Sequence, residues 1–381
     1  MEYASLYLGF LFLWVIVILQ AVHFCQLGRL SKRQSMKPLR GDVPACSVVI
    51  TCHNHAEQLR QSLPILLEQE YPSEYEIIVV DMLSTDDTKD VLESFEYSYP
   101  HLHHTHCPET ARDISLQRLA LTLGVRAAAH EWVVFTSADC HTSERQWLFH
   151  LMQPCDEKRD AVLGLMRYEE DGSLYGRRWQ FFHLWQQMLW LPYSRRFAPY
   201  RADGACLCYR RSHFMAHQGF ASSALLESGA ETLLVNRHIA RGRCDINVRP
   251  QALVCQELPP RHRWAEEWLF FMATRRQMRQ GFLYRMWYAC HLLAQLLFPL
   301  SALALVALTW PNPYVAAAVA ILWLIAILVR QRMFLSTTRQ LGIRPFRLSL
   351  PLFLHMPLFW DTSAWLRWLA SDKKIYRKKF V

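Results

Sequence analysis

The chain has 381 residues, more than one soluble domain of ordinary size uses, so two or more regions are expected. Hydrophobic residues make up 52% and charged residues 20%, which excludes a disordered or collagen-like chain, and 14 Trp with 20 Phe point to lipid contact. The 42 basic and 33 acidic side chains leave +9, a balance that suits nucleic acid, anionic lipid or a phosphorylated substrate.

Leu6 to His23 is apolar, carries no formal charge and is about long enough to span a bilayer. No basic residue precedes it and no small-residue cleavage site follows, which favours a membrane helix over a signal peptide. Arg29, Lys32, Arg33, Lys37 and Arg40 follow, and the positive-inside tendency puts them in the cytoplasm and the N-terminus outside. The expected division is a membrane helix over 1–24 and a basic linker over 25–44. The 11 cysteines are odd in number and follow no framework, so in a cytoplasmic body free thiols are expected.

From Ala45 the pattern becomes α/β. Ser47–Thr51, Glu76–Asp81 and Trp132–Thr136 are short β-branched runs, as strands buried on both faces of a largely parallel sheet require. Helical patterns lie between them: Ala56–Glu70, interrupted by Pro64, then Asp86–Phe95 with Ser84 or Thr85 as cap, then Ser115–Ala129. In the last, Leu116, Leu119, Ala120, Leu123 and Ala127 share one face. The arrangement is doubly wound, and ligands of such sheets bind beyond the carboxyl ends of the strands. Those ends carry Thr51-Cys52-His53-Asn54, Asp81 and Ser137-Ala138-Asp139, so one shared site is expected. No G-x-G-x-x-G and no Walker sequence is present, which argues against a dehydrogenase or a P-loop NTPase. A diphosphate then needs another counter-charge. A carboxylate holding Mg²⁺ or Mn²⁺ supplies it, with Asp139 as candidate ligand, while Asp81 would accept hydrogen bonds from a nucleotide's base or ribose. Taken singly, Asp81 also reads as a helix-cap or turn residue and Asp139 as a loop carboxylate.

The histidines of 101–106 have no regular zinc spacing, and Pro100 and Pro108 bracket them in an expected exposed loop. Cys206-x-Cys208 is too close for a zinc pair and is expected on a buried strand or turn. Arg177 to Arg196 interleaves aromatic and basic side chains. Nucleic-acid binding and a helix in the membrane interface both fit, and the neighbouring spans favour the interface, where a membrane-proximal acceptor would arrive. Trp287–Trp310 and Tyr314–Val329 form an expected membrane hairpin around Pro311 and Pro313. Phe346–Leu369, broken by Pro351, Pro357 and Asp361, suits a re-entrant or surface-lying element, and the basic tail through Lys379 suits anionic headgroups.

Three segments, SVVITCHNHAEQL, EYPSEYEIIVVDMLSTDDT and HEWVVFTSADC, resemble the family 2 glycosyltransferases. ISLQRLALTLGVRAAAHEWVVFTSADC and ACLCYRRSHFMAHQGFASSALLESGAETLLVN resemble membrane-anchored bacterial members. The resemblance, which covers roughly Ala45 to Gly281, implies a GT-A fold over 45–285, and the apolar spans complete the expected division with a transmembrane hairpin over 286–330 and an interfacial or re-entrant segment with basic tail over 331–381. It also implies a nucleotide-diphosphate sugar donor (UDP- or GDP-linked), Mg²⁺ or Mn²⁺, and displacement with inversion at the anomeric carbon. Carried over by position, Thr51, Asn54, Asp81 and Ser137 would bind the nucleotide and Asp139 the metal. Glu231 would be the base, drawn from the acidic cluster Glu227–Leu233. Arg275 or Arg276 would contact the diphosphate, although both also read as the positive-inside flank of the next span.

The chain departs from the family pattern at three places. Ser137 replaces the first acid of Asp-x-Asp, His55 replaces an acid after the first Asn, and Ala230 replaces the Glu of a Glu-Asp pair. The expected function is transfer of a sugar to a glycan or lipid-linked acceptor hydroxyl, at the cytoplasmic face of a bacterial inner membrane, with membrane lipids and no nucleic acid as partners. The three departures motivate an alternative, a degenerate relative that binds without turnover.

Overall fold

In the computed structural model the described residues are 2–109, 115–220, 229–261, 263–275, 277–343 and 350–371. A long helix, α1 (Glu2–Met36), leads into β1 (Cys46–Cys52), α2 (Ala56–Leu67), β2 (Tyr75–Asp81), α3 (Thr88–Ser98), β3 (Leu102–His106), α4 (Leu116–Ala127) and β4 (Trp132–Ser137). Next come β5 (Cys140–His141), α5 (Trp147–Met152), β6 (Ala161–Leu163), β7 (Met166–Tyr168), α6 (Leu174–Arg196), β8 (Leu207–Arg210), α7 (Arg211–Ala216) and α8 (Ala230–His238). The chain finishes with β9 (Cys244–Ile246), β10 (Val254–Gln256), α9 (Arg263–Arg275), α10 (Phe282–Leu308), α11 (Pro313–Gln340), α12 (Leu350–Phe353) and α13 (Pro357–Ala370).

Seven strands form one sheet in the order β3-β2-β1-β4-β8-β6-β9, and β5-β10-β7 form a second, smaller one. The β3-β2-β1-β4 half is parallel, as the β-branched runs imply, but β8 runs antiparallel to both β4 and β6, so the sheet is mixed. All seven residues of β1 are buried, since β1 lies between two strands and under helices on both faces.

The sequence misplaced three features. The histidine run 101–106 is an edge strand, not a loop. Leu102 pairs with Ile77 and is buried, while the alternate positions face solvent and hide the strand signal. On α4 the buried stripe is Ala120, Leu121, Gly124 and Val125, rotated from the expected one. The cause is Gly124: a Cβ there would lie 2.3 Å from Val49 Cγ1, so helix and β1 approach closely at this point. The helix expected in the membrane interface, α6, is instead a core element. Phe181, Trp185 and Trp190 are fully buried, and Phe181 packs on Phe334 and Phe353 with centroids 5.1 and 5.5 Å apart. Aromatic residues on every side of this helix fill the junction between the sheet and the C-terminal helices.

The capping of α3 also differs. Asp86, rather than Ser84 or Thr85, accepts from Thr88 N (3.1 Å) and from Ala56 N (3.1 Å), fastening two helix starts at once. Cys206 and Cys208 are buried at β8, and the eleven cysteines are free thiols.

Helices α10 and α11, with mean hydropathy 2.0 and 2.1, are long and apolar enough to cross a bilayer. Leu13, Ile16 and Val17 of α1 pack against Phe298, Ala302, Val319, Leu322 and Ala326 of this pair. Leu8, Leu11, Ile18, Leu300, Leu303 and Leu324 remain exposed on the outside. In α1 the apolar stretch is Tyr7–Leu19, and the helix continues to Met36, through Arg29, Lys32 and Arg33. At 14 residues, α13 measures about 21 Å by helical rise, short of a hydrocarbon core of about 30 Å. The basic tail lies outside the described residues.

Candidate active site

The parallel register sets the site. Thr51 lies level with Ser137, and Cys52 with Asp81, so β2, β1 and β4 end along one rim. A cavity of about 850 Å³ opens there, lined by Thr51, Ser137, Asp139, Asp203 and Glu231. Its floor comes from the small sheet through Met166, Tyr168 and Gln256, and Phe270, Phe271 and Thr274 of α9 line it as well.

Asp139 follows β4 in the turn before β5. Its Oδ2 accepts from Gln256 Nε2 at 2.8 Å and its carbonyl from Glu257 N at 3.0 Å, while Oδ1 meets the weak donor Cys140 Sγ at 3.6 Å. One carboxylate oxygen is therefore left without a strong donor, and the Ser137 hydroxyl sits two residues away. Hard oxygen donors of this kind fit Mg²⁺ or Mn²⁺ when substrate phosphates complete the shell. Among the described residues, no three-ligand His, Cys, Asp or Glu cluster includes Asp139.

Asp81 and Asn54 are engaged with the turn after β2. Asp81 accepts from Ser84 N at 3.2 Å and from the Ser84 hydroxyl. Asn54, with φ of +55°, accepts from Thr85 N at 2.7 Å through Oδ1, and its own N–H donates to Ser84 Oγ at 2.8 Å. Asp81 and Asn54 are outside the cavity lining, whereas Met82, His53 and His55 are in it. The ends of β2 and β4 are two strand spacings apart across β1, about 9–10 Å.

Glu231 stands in the first turn of α8, behind Gly229 with φ of +78°. Its side chain is buried, and Gly204 makes room for it: a Cβ at 204 would lie 2.9 Å from Oε1. Burial pushes the Glu231 carboxyl above the usual carboxylate range; its backbone hydrogen bond and the Arg118 charge pull partly back, and Asp203 adds to the rise. The adjacent Ala230 is buried and adds no second acid.

A polar cluster that the sequence did not point to completes the wall. Gln187 Nε2 donates to His183 Nε2 (2.8 Å) and to Asp203 Oδ2 (2.9 Å), and Arg201 Nε lies 3.7 Å from Asp203 Oδ1. Burial holds the His183 imidazole down to about 4, so it is neutral and accepts at Nε2. Arg201 stacks on Phe271 at 4.8 Å and, among the described residues, is the arginine that lines the cavity. A motif with these residues at 183, 187, 201 and 203 has no periodic spacing, so the pattern alone gives no signal. Arg275 is outside the lining set and lies near Tyr200, Tyr284 and Asp361. Arg276, Glu227 and Ser228 lie outside the described residues.

Comparison with known proteins adds three findings. Residues 47–218 match the profile of Glycosyl transferase family 2. Glycosyltransferase AglE of the archaeon Haloferax volcanii is 31% identical over 107 residues, 28% of this chain and 34% of its own length. The probable glycosyltransferase YdaM of Bacillus subtilis is 30% identical over 148 residues, 38% of this chain and 31% of its own. The matches thus span about a third of the length of these curated relatives and are not restricted to bacteria. Among solved structures, the mannosyltransferase PcManGT from Pyrobaculum calidifontis, in complex with GDP-Man and Mn²⁺, is similar with a TM-score of 0.51. It is 22% identical and covers 92% of this chain and 99% of that one, which establishes a shared fold.

Proposed function

We propose, from the match of residues 47–218 to glycosyl transferase family 2 and from the shared fold, that the protein is a GT-A glycosyltransferase that transfers a sugar from a UDP- or GDP-linked donor to an acceptor hydroxyl. The acceptor is a glycan or lipid-linked sugar at a membrane, held near it by α1, α10 and α11. The observation that carries this reading is the convergence of Ser137, Asp139 and Glu231 on one cavity beyond the strand ends. The similar mannosyltransferase with its GDP-Man and Mn²⁺ supports the donor class, and the two apolar helices support the membrane setting.

The acceptor oxygen attacks the anomeric carbon from the face opposite the diphosphate. The bond from that carbon to the diphosphate oxygen breaks, and the configuration inverts. Glu231 takes the acceptor proton; its burial raises its proton affinity while Arg118 helps keep it ionised beforehand. Asp139, with Ser137 beside it, would hold Mg²⁺ or Mn²⁺ against the diphosphate, and the ion when bound supplies charge stabilisation to the departing nucleotide. Gln256 fixes the Asp139 carboxylate. Asp81 and Asn54 shape the 82–86 turn against which the nucleoside would lie, and Thr51 forms the rim between. Arg275 or Arg276 would contact the diphosphate.

The test uses full-length protein in lipid nanodiscs with Mn²⁺ and a panel of UDP- and GDP-sugars, reading nucleotide release and sugar transfer. Turnover that disappears in Asp139→Asn and in Glu231→Gln, with donor binding retained in the latter, is the expected result. Absence of nucleotide binding with Mn²⁺ across the panel overturns the proposal. The degenerate alternative, motivated by Ser137 and Ala230, predicts binding without turnover and no effect of Glu231→Gln.

A further inference from the structure

Cys255 stands at the middle of β10, the central strand of the small sheet. Its antiparallel partner is His141 on β5, and its parallel neighbour is Arg167 on β7. Met166, Tyr168 and Gln256 line the cavity, so the two-residue alternation of strands turns Arg167, Cys255 and His141 to the reverse face. Glu169 follows β7 on that same side. Its N–H donates to Gln256 O at 2.9 Å, and its carboxylate lies 3.3 Å from His141 Nε2. The imidazole, carboxylate and thiol ligand atoms of His141, Glu169 and Cys255 all lie within 4.8 Å of one another.

We propose that His141, Glu169 and Cys255 form a Zn²⁺ site on the reverse face of the small sheet, with water as fourth ligand. Ligand atoms of a tetrahedral zinc lie roughly 3.3–3.8 Å apart, from bonds of about 2.0–2.3 Å. The His141–Glu169 contact already has that spacing, and closing the set needs about 1 Å of side-chain movement. A thiolate with an imidazole selects zinc over Mg²⁺ and Mn²⁺, which sets this site apart from the oxygen donors at Asp139. The His141 and Glu169 side chains are 41% and 45% exposed, so the ion has access, while Cys255 is buried beneath them. On binding, the Cys255 S–H bond breaks, a Zn–S bond forms and the proton passes to solvent, with no change of oxidation state. The thiolate and Glu169 balance the ion's two charges; burial pushes the free Cys255 thiol up to about 11 and Arg167 across the ladder pulls it partly back, so the ion itself must draw off the proton. An ion here ties β5, β10 and the end of β7 together from behind, through Cys255, next in sequence to Gln256, and His141, two residues beyond Asp139.

Chelator-stripped full-length protein in detergent, titrated with Co²⁺ and then Zn²⁺, tests the site. Wild type should bind one Co²⁺ with a thiolate-to-cobalt band in the near ultraviolet, release one proton, and lose the band to Zn²⁺. Cys255→Ser should abolish the band and weaken Zn²⁺ binding by more than about 100-fold, beyond what loss of a supporting partner costs. Asp139→Asn should leave both unchanged, whatever its effect on sugar transfer. No thiolate band in wild type, or the same band and affinity in Cys255→Ser, overturns the proposal. If Cys255→Ser does not fold, the surface variant His141→Ala gives the same reading: retained affinity overturns the site, and loss supports it.

Discussion

Gln256 Nε2 donates to Asp139 Oδ2 at 2.8 Å, joining the carboxylate beyond β4 to the central strand of the second sheet. Their separation of 117 positions in the chain makes this a contact that tertiary folding creates. It engages one carboxylate oxygen and leaves the other with only the weak donor Cys140 Sγ at 3.6 Å, as the proposed metal-ligand role requires.

Gln256→Leu should therefore weaken Mn²⁺ affinity by about 10–100-fold while kcat at saturating Mn²⁺ is largely kept. Asp139→Asn should lose turnover at every Mn²⁺ concentration. Metal titrations of both variants separate the positioning role from the ligand role.

Glu231→Gln should lower kcat by about 10²–10⁴-fold, the range for loss of a positioned base. Because burial raises the Glu231 carboxyl, the base ionises at higher pH than an exposed carboxylate, so kcat should climb with an acid limb above the ordinary carboxylate range. The sign for stability is opposite. Folding favours the neutral acid, so Glu231 contributes stability below its unfolded pKa, and that contribution is lost as pH rises through the folded value. Rate and unfolding profiles against pH check both.

Gly124→Ala places a methyl where Val49 Cγ1 would be 2.3 Å away, and should cost about 1–3 kcal/mol through overpacking. Val49→Ala in the same chain should recover part of the loss, although each change alone destabilises. A double-mutant cycle of thermal unfolding measures this coupling.

Asp160 receives Arg243 Nε at 2.7 Å and Nη2 at 2.5 Å, a bidentate clasp between β6 and β9. Burial opposes ionisation there, but the Arg243 hydrogen bonds and charge hold the Asp160 carboxyl below its usual value. Its stabilising contribution is therefore present above the unfolded carboxylate pKa and is lost as pH falls through the folded value. Arg243→Ala should destabilise by about 1–3 kcal/mol near neutral pH, and by less in acid. Unfolding of wild type and variant across pH 3 to 7, roughly spanning the carboxylate range, reads the difference.

The sequence by itself determined the parallel half of the sheet and the apolar helices. Runs such as Ile77–Val80 and the 282–308 segment bury or expose so much hydrocarbon that pattern fixes their type, and strand polarity places Thr51, Ser137 and Asp139 at one rim. Tertiary structure decided what periodicity cannot encode. The aromatic surround of α6 reads equally as core or interface until neighbours are known, and Phe334 and Phe353 supply them from more than 150 residues away. The burial of Glu231 depends on a missing side chain at Gly204, and the Gln187–His183–Asp203 cluster on a helix meeting a loop. Such groups carry little free energy apart and gain their chemistry from exclusion of water, which only packing between distant segments provides.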